Sequence, residues 1–134
     1  MDTIQFGYHL TLDLYNCNQK LLGNMEHCYK ALNETVSLLK MKALTPPFVI
    51  SASSNEISGG KDPGGFSGFV IIAESHISLH TFIKRGFASI DVYSCVKFDK
   101  TLATRYFIKT FESKDEEINF IKRGSRYPAE NIYD

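Results

Sequence analysis

The hydrophobic positions of the chain first recur at every second residue. Phe6, Tyr8, Leu10, Leu12 and Leu14 alternate with Gly7, His9, Thr11 and Asp13, which predicts a strand with one buried face. From Asn18 to Lys42 the period lengthens. Leu21, Leu22, Met25, Cys28, Leu32, Val36 and Leu39 fall at helical spacing behind an Asn18 N-cap, predicting one long amphipathic helix weakened at Gly23. Pro46 and Pro47 end it and open an extended stretch from Phe48 to Ser53. A glycine-rich loop runs from Asn55 to Gly68. The pattern then predicts short strands at Phe69 to Ala73, His76 to Phe82 and Phe87 to Cys95. Thr101 to Phe111 reads as a helix, Ile118 to Ile121 as a last strand, and the tail from Gly124 is polar. Hairpin-length links between the middle strands predict an α+β fold. It is a two-layer sandwich, an antiparallel β-sheet with two helices packed on one face.

Composition narrows the function classes. At 134 residues and 43% hydrophobic content, residues 1–134 make one domain around one core. Fifteen basic residues balance fifteen acidic ones, so nucleic acid is not an expected partner. No apolar run has the length of a membrane span and the start MDTIQ is not a signal peptide, giving an expectation of cytoplasmic location away from membranes. Three cysteines without a CxxC pair fit a reducing compartment. The scatter of His9, His27, His76 and His80 with Cys17, Cys28 and Cys95 has no metal-site spacing. The glycine-rich loop lacks the GxxxxGK[ST] pattern of a phosphate cradle.

One stretch carries chemistry. In the run from Ala73 to Phe82, alternation places His76, Ser78, His80 and Phe82 on one side of a strand. Asp91, Tyr93 and Cys95 share one side of the next. An imidazole and a thiol on adjacent strands are the material of proton transfer or nucleophilic catalysis, and spacing leaves the reaction open.

The residues around this stretch form a recognisable set. Gly7-Tyr8-His9-Leu10, Ser67-Gly68, Glu74-Ser75-His76, His80-Thr81, Gly86 to Asp91 with Cys95, and Arg123-Gly124 occur in that order. In this combination the chain resembles the prokaryotic-type S-adenosylmethionine decarboxylase proenzymes, self-cleaving pyruvoyl enzymes of polyamine (spermidine) synthesis. The resemblance implies scission between Glu74 and Ser75 by attack of the Ser75 hydroxyl on the preceding carbonyl, a step that needs donors for the developing oxyanion. It implies a zymogen that yields a β chain, 1–74, and an α chain, 75–134. The α chain would begin with a covalent pyruvoyl group derived from Ser75, which takes the substrate as a Schiff base with neither metal nor pyridoxal phosphate. It further implies His80 as processing base, Ser67 as its partner in self-cleavage, Cys95 as proton donor to the substrate carbon, and a homodimer of processed protomers acting on a small molecule.

Departures fall at substrate recognition. Where the family has Trp-Pro-Glu after HT, this chain has Phe82-Ile83-Lys84, and Lys61 stands where the family carries a second aromatic. By family default the resemblance implies S-adenosylmethionine as substrate, with Phe82, Lys84 and Lys61 at the substrate-binding positions, while the departures favour a small amino acid whose carboxylate Lys61 or Lys84 would place. L-ornithine or L-arginine decarboxylation through a rewritten pocket, and a non-catalytic, unprocessed paralogue, are the alternatives.

Overall fold

A computed structural model describes residues 6–52 and 64–132. Six strands form one sheet: β1 (Gly7–Tyr15), β2 (Phe48–Ser51), β3 (Phe66–Ile72), β4 (Ser75–Phe82), β5 (Phe87–Ser94) and β6 (Asp115–Arg123). Their order is β2-β3-β4-β5-β1-β6, and every adjacent pair is antiparallel. Three helices accompany them: α1 (Gln19–Leu22), α2 (Met25–Leu38) and α3 (Lys100–Phe111). This is the α+β two-layer arrangement that the pattern predicted. Among the described residues no helix is long and apolar enough to cross a membrane.

The single helix expected from Asn18 to Lys42 is two helices, so the described residues hold three α-helices rather than two. Asn18 caps α1, its carboxamide accepting from the amides of Lys20 and Leu21. Gly23 ends that turn, and Asn24 adopts extended backbone and caps α2 by accepting from the His27 amide at 3.1 Å. Two poor helix formers in succession, one of them a good N-cap, make the restart cheaper than continuing. The break also leaves the Leu22 carbonyl free of an intrahelical donor. Thr81 of β4, buried on the helix side, donates its hydroxyl to that oxygen at 3.0 Å.

The core lies between sheet and helices. Leu10, Leu12, Leu14, Ile77, Leu79, Ile90 and Val92 supply its floor, and Leu32, Phe107 and Phe111 press on them, all at 0–1% exposure. The strands therefore present their other residues on an open face. Cys28, placed in the helix core by its spacing, is fully buried, and burial pushes its thiol up to about 12.

Other boundaries shifted by tertiary pairing. β3 begins at Phe66, inside the expected loop, because Ser67 pairs with His80. β6 begins at Asp115, three residues before Ile118, because Asp115 pairs with Tyr15. Cys95 falls just beyond the end of β5.

Candidate active site

The open face gathers the polar residues of four strands into rows. Ser67, His80, Ser89 and Asp13 make one row across β3, β4, β5 and β1. Phe69, Ser78, Asp91 and Thr11 make the next, and Ile71, His76, Tyr93 and His9 a third. Two clusters stand out, one at each end of β4.

At the end where β4 leaves the sheet, His80 Nδ1 lies 3.0 Å from the Ser67 hydroxyl. Both are solvent-accessible, and their contact follows from direct pairing of the two residues in the ladder. Phe82 sits one row further on, its ring 5.3 Å from that of Phe87. Lys84 lies in the short 3-10 turn that follows and is exposed. Lys61 lies outside the described residues.

At the other end β3 and β4 are joined by Ala73 and Glu74 alone, with Ile72 paired to Ser75. This turn is pinned from both sides. The Ala73 amide donates to the Lys42 carbonyl at 2.8 Å, and the Glu74 carbonyl accepts from the Cys95 amide at 3.1 Å. Thus the carbonyl of the Glu74–Ser75 peptide already points at a backbone donor, with the exposed Cys95 thiol on the same residue. Behind the turn, on the helix side, a cavity of about 580 Å³ is lined by Glu74, Ser94, Met41 and Phe98 among others. The Glu74 Oε2 is buried there without a hydrogen-bond partner among the described residues.

The structure brings Ser67 to His80 and Cys95 to the Glu74–Ser75 peptide, and it holds these two groups apart. Ser75 and His80 are five residues apart on one extended strand, a separation of roughly 17 Å at about 3.3 Å per residue. The imidazole beside the thiol in the sequence pattern is therefore not His80. His76 is closer, paired with Tyr93 two residues before Cys95.

A network beside the turn was not assembled from sequence. His9 Nε2 lies 2.9 Å from Asp91 Oδ1, whose other oxygen accepts from the Ser78 hydroxyl at 3.3 Å. Arg123 Nη1 donates to His9 Nδ1 at 3.2 Å, so that His9 presents its Nε2–H to Asp91. The guanidinium also stands 4.9 Å from the centre of the Tyr93 ring, and that ring packs against His9 and His76. Alternation showed that His9, His76, Asp91 and Tyr93 share a face. Only the strand order, with β1 between β5 and β6, brings Arg123 to them. Further along β1, Tyr15 donates to the Glu117 carboxylate, which holds the phenol up at about 12.

Comparison with known proteins gives a consistent result. The family model described as S-adenosylmethionine decarboxylase matches residues 8–124. An S-adenosylmethionine decarboxylase proenzyme from Thermodesulfovibrio yellowstonii is 38% identical over 119 residues, covering 88% of this chain and 81% of the relative. One from Clostridium botulinum is 34% identical over 119 residues, covering 88% and 94%. The crystal structure of the adenosylmethionine decarboxylase from Aquifex aeolicus superposes with a TM-score of 0.76 at 26% identity, covering 91% of this chain and 93% of that one.

Proposed function

The chain belongs to the S-adenosylmethionine decarboxylase family, and from that premise we propose that it is a self-processing, pyruvoyl-dependent decarboxylase of S-adenosylmethionine that works as a homodimer. The observation that carries this reading is the turn at Glu74–Ser75, whose carbonyl accepts the Cys95 amide at 3.1 Å. A donor already aimed at that oxygen is what an acyl shift requires when charge develops there.

In the proposed processing the Ser75 hydroxyl adds to the Glu74 carbonyl carbon while the C–N bond breaks, leaving an ester. The Cys95 N–H holds the oxygen throughout. Loss of the Ser75 α-proton then expels the Glu74 carboxylate, and hydrolysis releases ammonia to leave a keto group on residue 75. The residues present fit such a precursor: a serine in a pinned turn, a backbone donor, and a free thiol beside it. Once formed, the pyruvoyl group supplies the electron sink for carbon dioxide loss. Cys95, exposed at its mouth, is placed to return a proton to the substrate carbon. A thiol kept for that work suits the reducing cytoplasm.

The same geometry supports the proposed dimer. A His80–Ser67 pair roughly 17 Å from Ser75 along one strand cannot act on it within a protomer, so the pair serves the partner. The open face is fit to be covered, since Phe48, Ile50, Phe69 and Ile71 stand exposed on it at 36–54%. Phe82 and Lys84 lie at the His80 end and would likewise reach a partner's turn.

Intact mass measurement on purified protein tests the reading. It predicts two chains divided at Glu74–Ser75, the second beginning with a keto acid that reacts with hydrazine, and no cleavage in Ser75→Ala. Label is then expected from carboxyl-labelled S-adenosylmethionine. A persistent full-length chain, or label released only from ornithine or arginine, overturns it.

A further inference from the structure

Arg123 has no part in the processing chemistry, yet it is held at the Ser75 end of the open face by two contacts. Strand register places it there. Gly7 pairs with Arg123 and Tyr8 with Ser94, while Ser94 pairs with Ser75. Glu74 and Cys95, just beyond the ends of β4 and β5 and joined by their backbone hydrogen bond, therefore lie at the same end of the sheet as Gly7 of β1 and Arg123 of β6. From the edge strand the Arg123 side chain turns inward across β1 until its guanidinium lies over Tyr93 of β5. The absent side chain of Gly7 leaves room for this arrangement, since a Cβ there would lie 3.2 Å from Tyr93 Cε1. Only one guanidinium nitrogen is used within the described residues, on His9 Nδ1 at 3.2 Å. A guanidinium has five N–H donors, arranged to grip a carboxylate with two parallel bonds. His9 in turn is fixed by Asp91 at 2.9 Å, so the base of the fork does not wander. Lys84, a cation at the expected substrate-binding positions, lies at the opposite end of β4.

We propose that Arg123 is the anion subsite of the decarboxylation site, binding the α-carboxylate of the amino-acid substrate beside residue 75. The assignment rests on the proposed function and adds to it the group that receives the carboxylate. Because the carboxylate leaves as neutral carbon dioxide, the pair is strongest before reaction. Arg123 thus strengthens substrate binding and does not lower the barrier relative to the bound state.

The test uses processed full-length enzyme and two ligands that cannot lose carbon dioxide. One is the deamino analogue of S-adenosylmethionine, which keeps the carboxylate and lacks the amine. The other is decarboxylated S-adenosylmethionine, which keeps the amine and lacks the carboxylate. By calorimetry, Arg123→Gln is expected to weaken the first about 10- to 100-fold, the range of a charge-assisted pair, and to leave the second within roughly 3-fold. In turnover, KM should rise by a similar factor while kcat is unchanged or rises, and does not fall. Arg123→Lys, which keeps charge without the fork, should fall between and serves where the glutamine variant folds poorly. Equal weakening of both ligands, or of neither, in processed protein overturns the assignment while leaving the family reading intact. Wild-type protein that never forms a carbonyl overturns both.

Discussion

Thr81 connects the fold to the proposed processing pair, Ser67 and His80, and its replacement by valine isolates what a single hydroxyl contributes. Thr81 is 3% exposed. Its oxygen donates to the Leu22 carbonyl at 3.0 Å and accepts from the Phe66 amide at 3.0 Å. One atom thereby ties the end of α1 to β4 and β4 to the first residue of β3, next to Ser67. Valine has nearly the same shape and removes both bonds. Each is worth about 1 kcal/mol net, and a buried carbonyl left without its donor costs a further 1–3 kcal/mol or so. The extra methyl returns about 0.8 kcal/mol. Because the Cys28 thiol also approaches the Leu22 oxygen, at 3.8 Å, the net loss should sit at the lower end, about 2–3 kcal/mol.

For a domain of this size that is a fall of roughly 10 °C in Tm. The comparison belongs in a Ser75→Ala background, where every chain is uncut and the two melts report the same species. Thr81→Ser keeps the oxygen and should cost only about 1 kcal/mol for its lost methyl. In the cleavable chain, Thr81→Val should also slow scission, because Ser67 follows the Phe66 amide that the hydroxyl holds. A melt lowered by less than about 2 °C, or a serine variant as damaged as the valine, would refute the assignment of stability to this hydroxyl.

Three further outcomes follow from local features. Gly65→Ala would put a Cβ 1.8 Å from the Thr81 carbonyl oxygen. Backbone must then move, and a loss of about 3 kcal/mol, the upper end for overpacking, is expected in urea unfolding. In native protein an alkylating reagent should modify Cys95, which is exposed, well before Cys17 and Cys28, whose thiols burial pushes to about 11 and about 12. Peptide mass mapping that finds Cys28 labelled early would contradict this. Asp13 is raised from 3.8 by burial, Glu117 and Asp91, so the native chain holds that proton more tightly than the unfolded chain. Stability therefore falls as pH rises from 3.8 through the folded value. Asp13→Asn should stabilise at neutral pH, and that gain should fade toward pH ~3 in a denaturation series.

How far the sequence could be read depended on whether the signal was local. Alternation on β1 and β4 was visible because each strand buries one face completely, and Leu10, Leu12, Ile77 and Leu79 have 0% exposure. The helix break was hidden because apolar spacing runs on through Leu21, Leu22, Met25 and Cys28, although Asn24 carries a second cap. β6 was underestimated because Asp115, Glu116 and Glu117 look like a solvated run. As an edge strand it needs only one partner, β1, to extend that far. The Glu74–Ser75, Ser67, His80 and Cys95 set could be named by family resemblance. Its division between two ends of β4 required the register, and Arg123 joined the site only through strand order.

That division makes subunit exchange decisive. In the proposed dimer, a two-fold axis lying in the plane of the open face and perpendicular to β4 stacks the two open faces with β4 reversed, carrying the partner's His80 end over the Ser75 end and the reverse, so one contact completes two sites. In that proposed assembly Ser75→Ala homodimers have no hydroxyl to attack, and His80→Ala homodimers lack the proposed base in both sites. A mixed dimer has one site with both groups, and it belongs to the His80→Ala chain, which retains Ser75. Co-expressed in equal amounts and assorting at random, about half of the His80→Ala chains should meet a Ser75→Ala partner and be cut, while the Ser75→Ala chains stay whole. If His80 acted within its own chain, neither variant would be cut in the mixture. Cleavage confined to the mixture establishes that the site is shared, and its absence in dimers verified by mass would place Ser75 and His80 of one chain together and overturn the extended-strand argument.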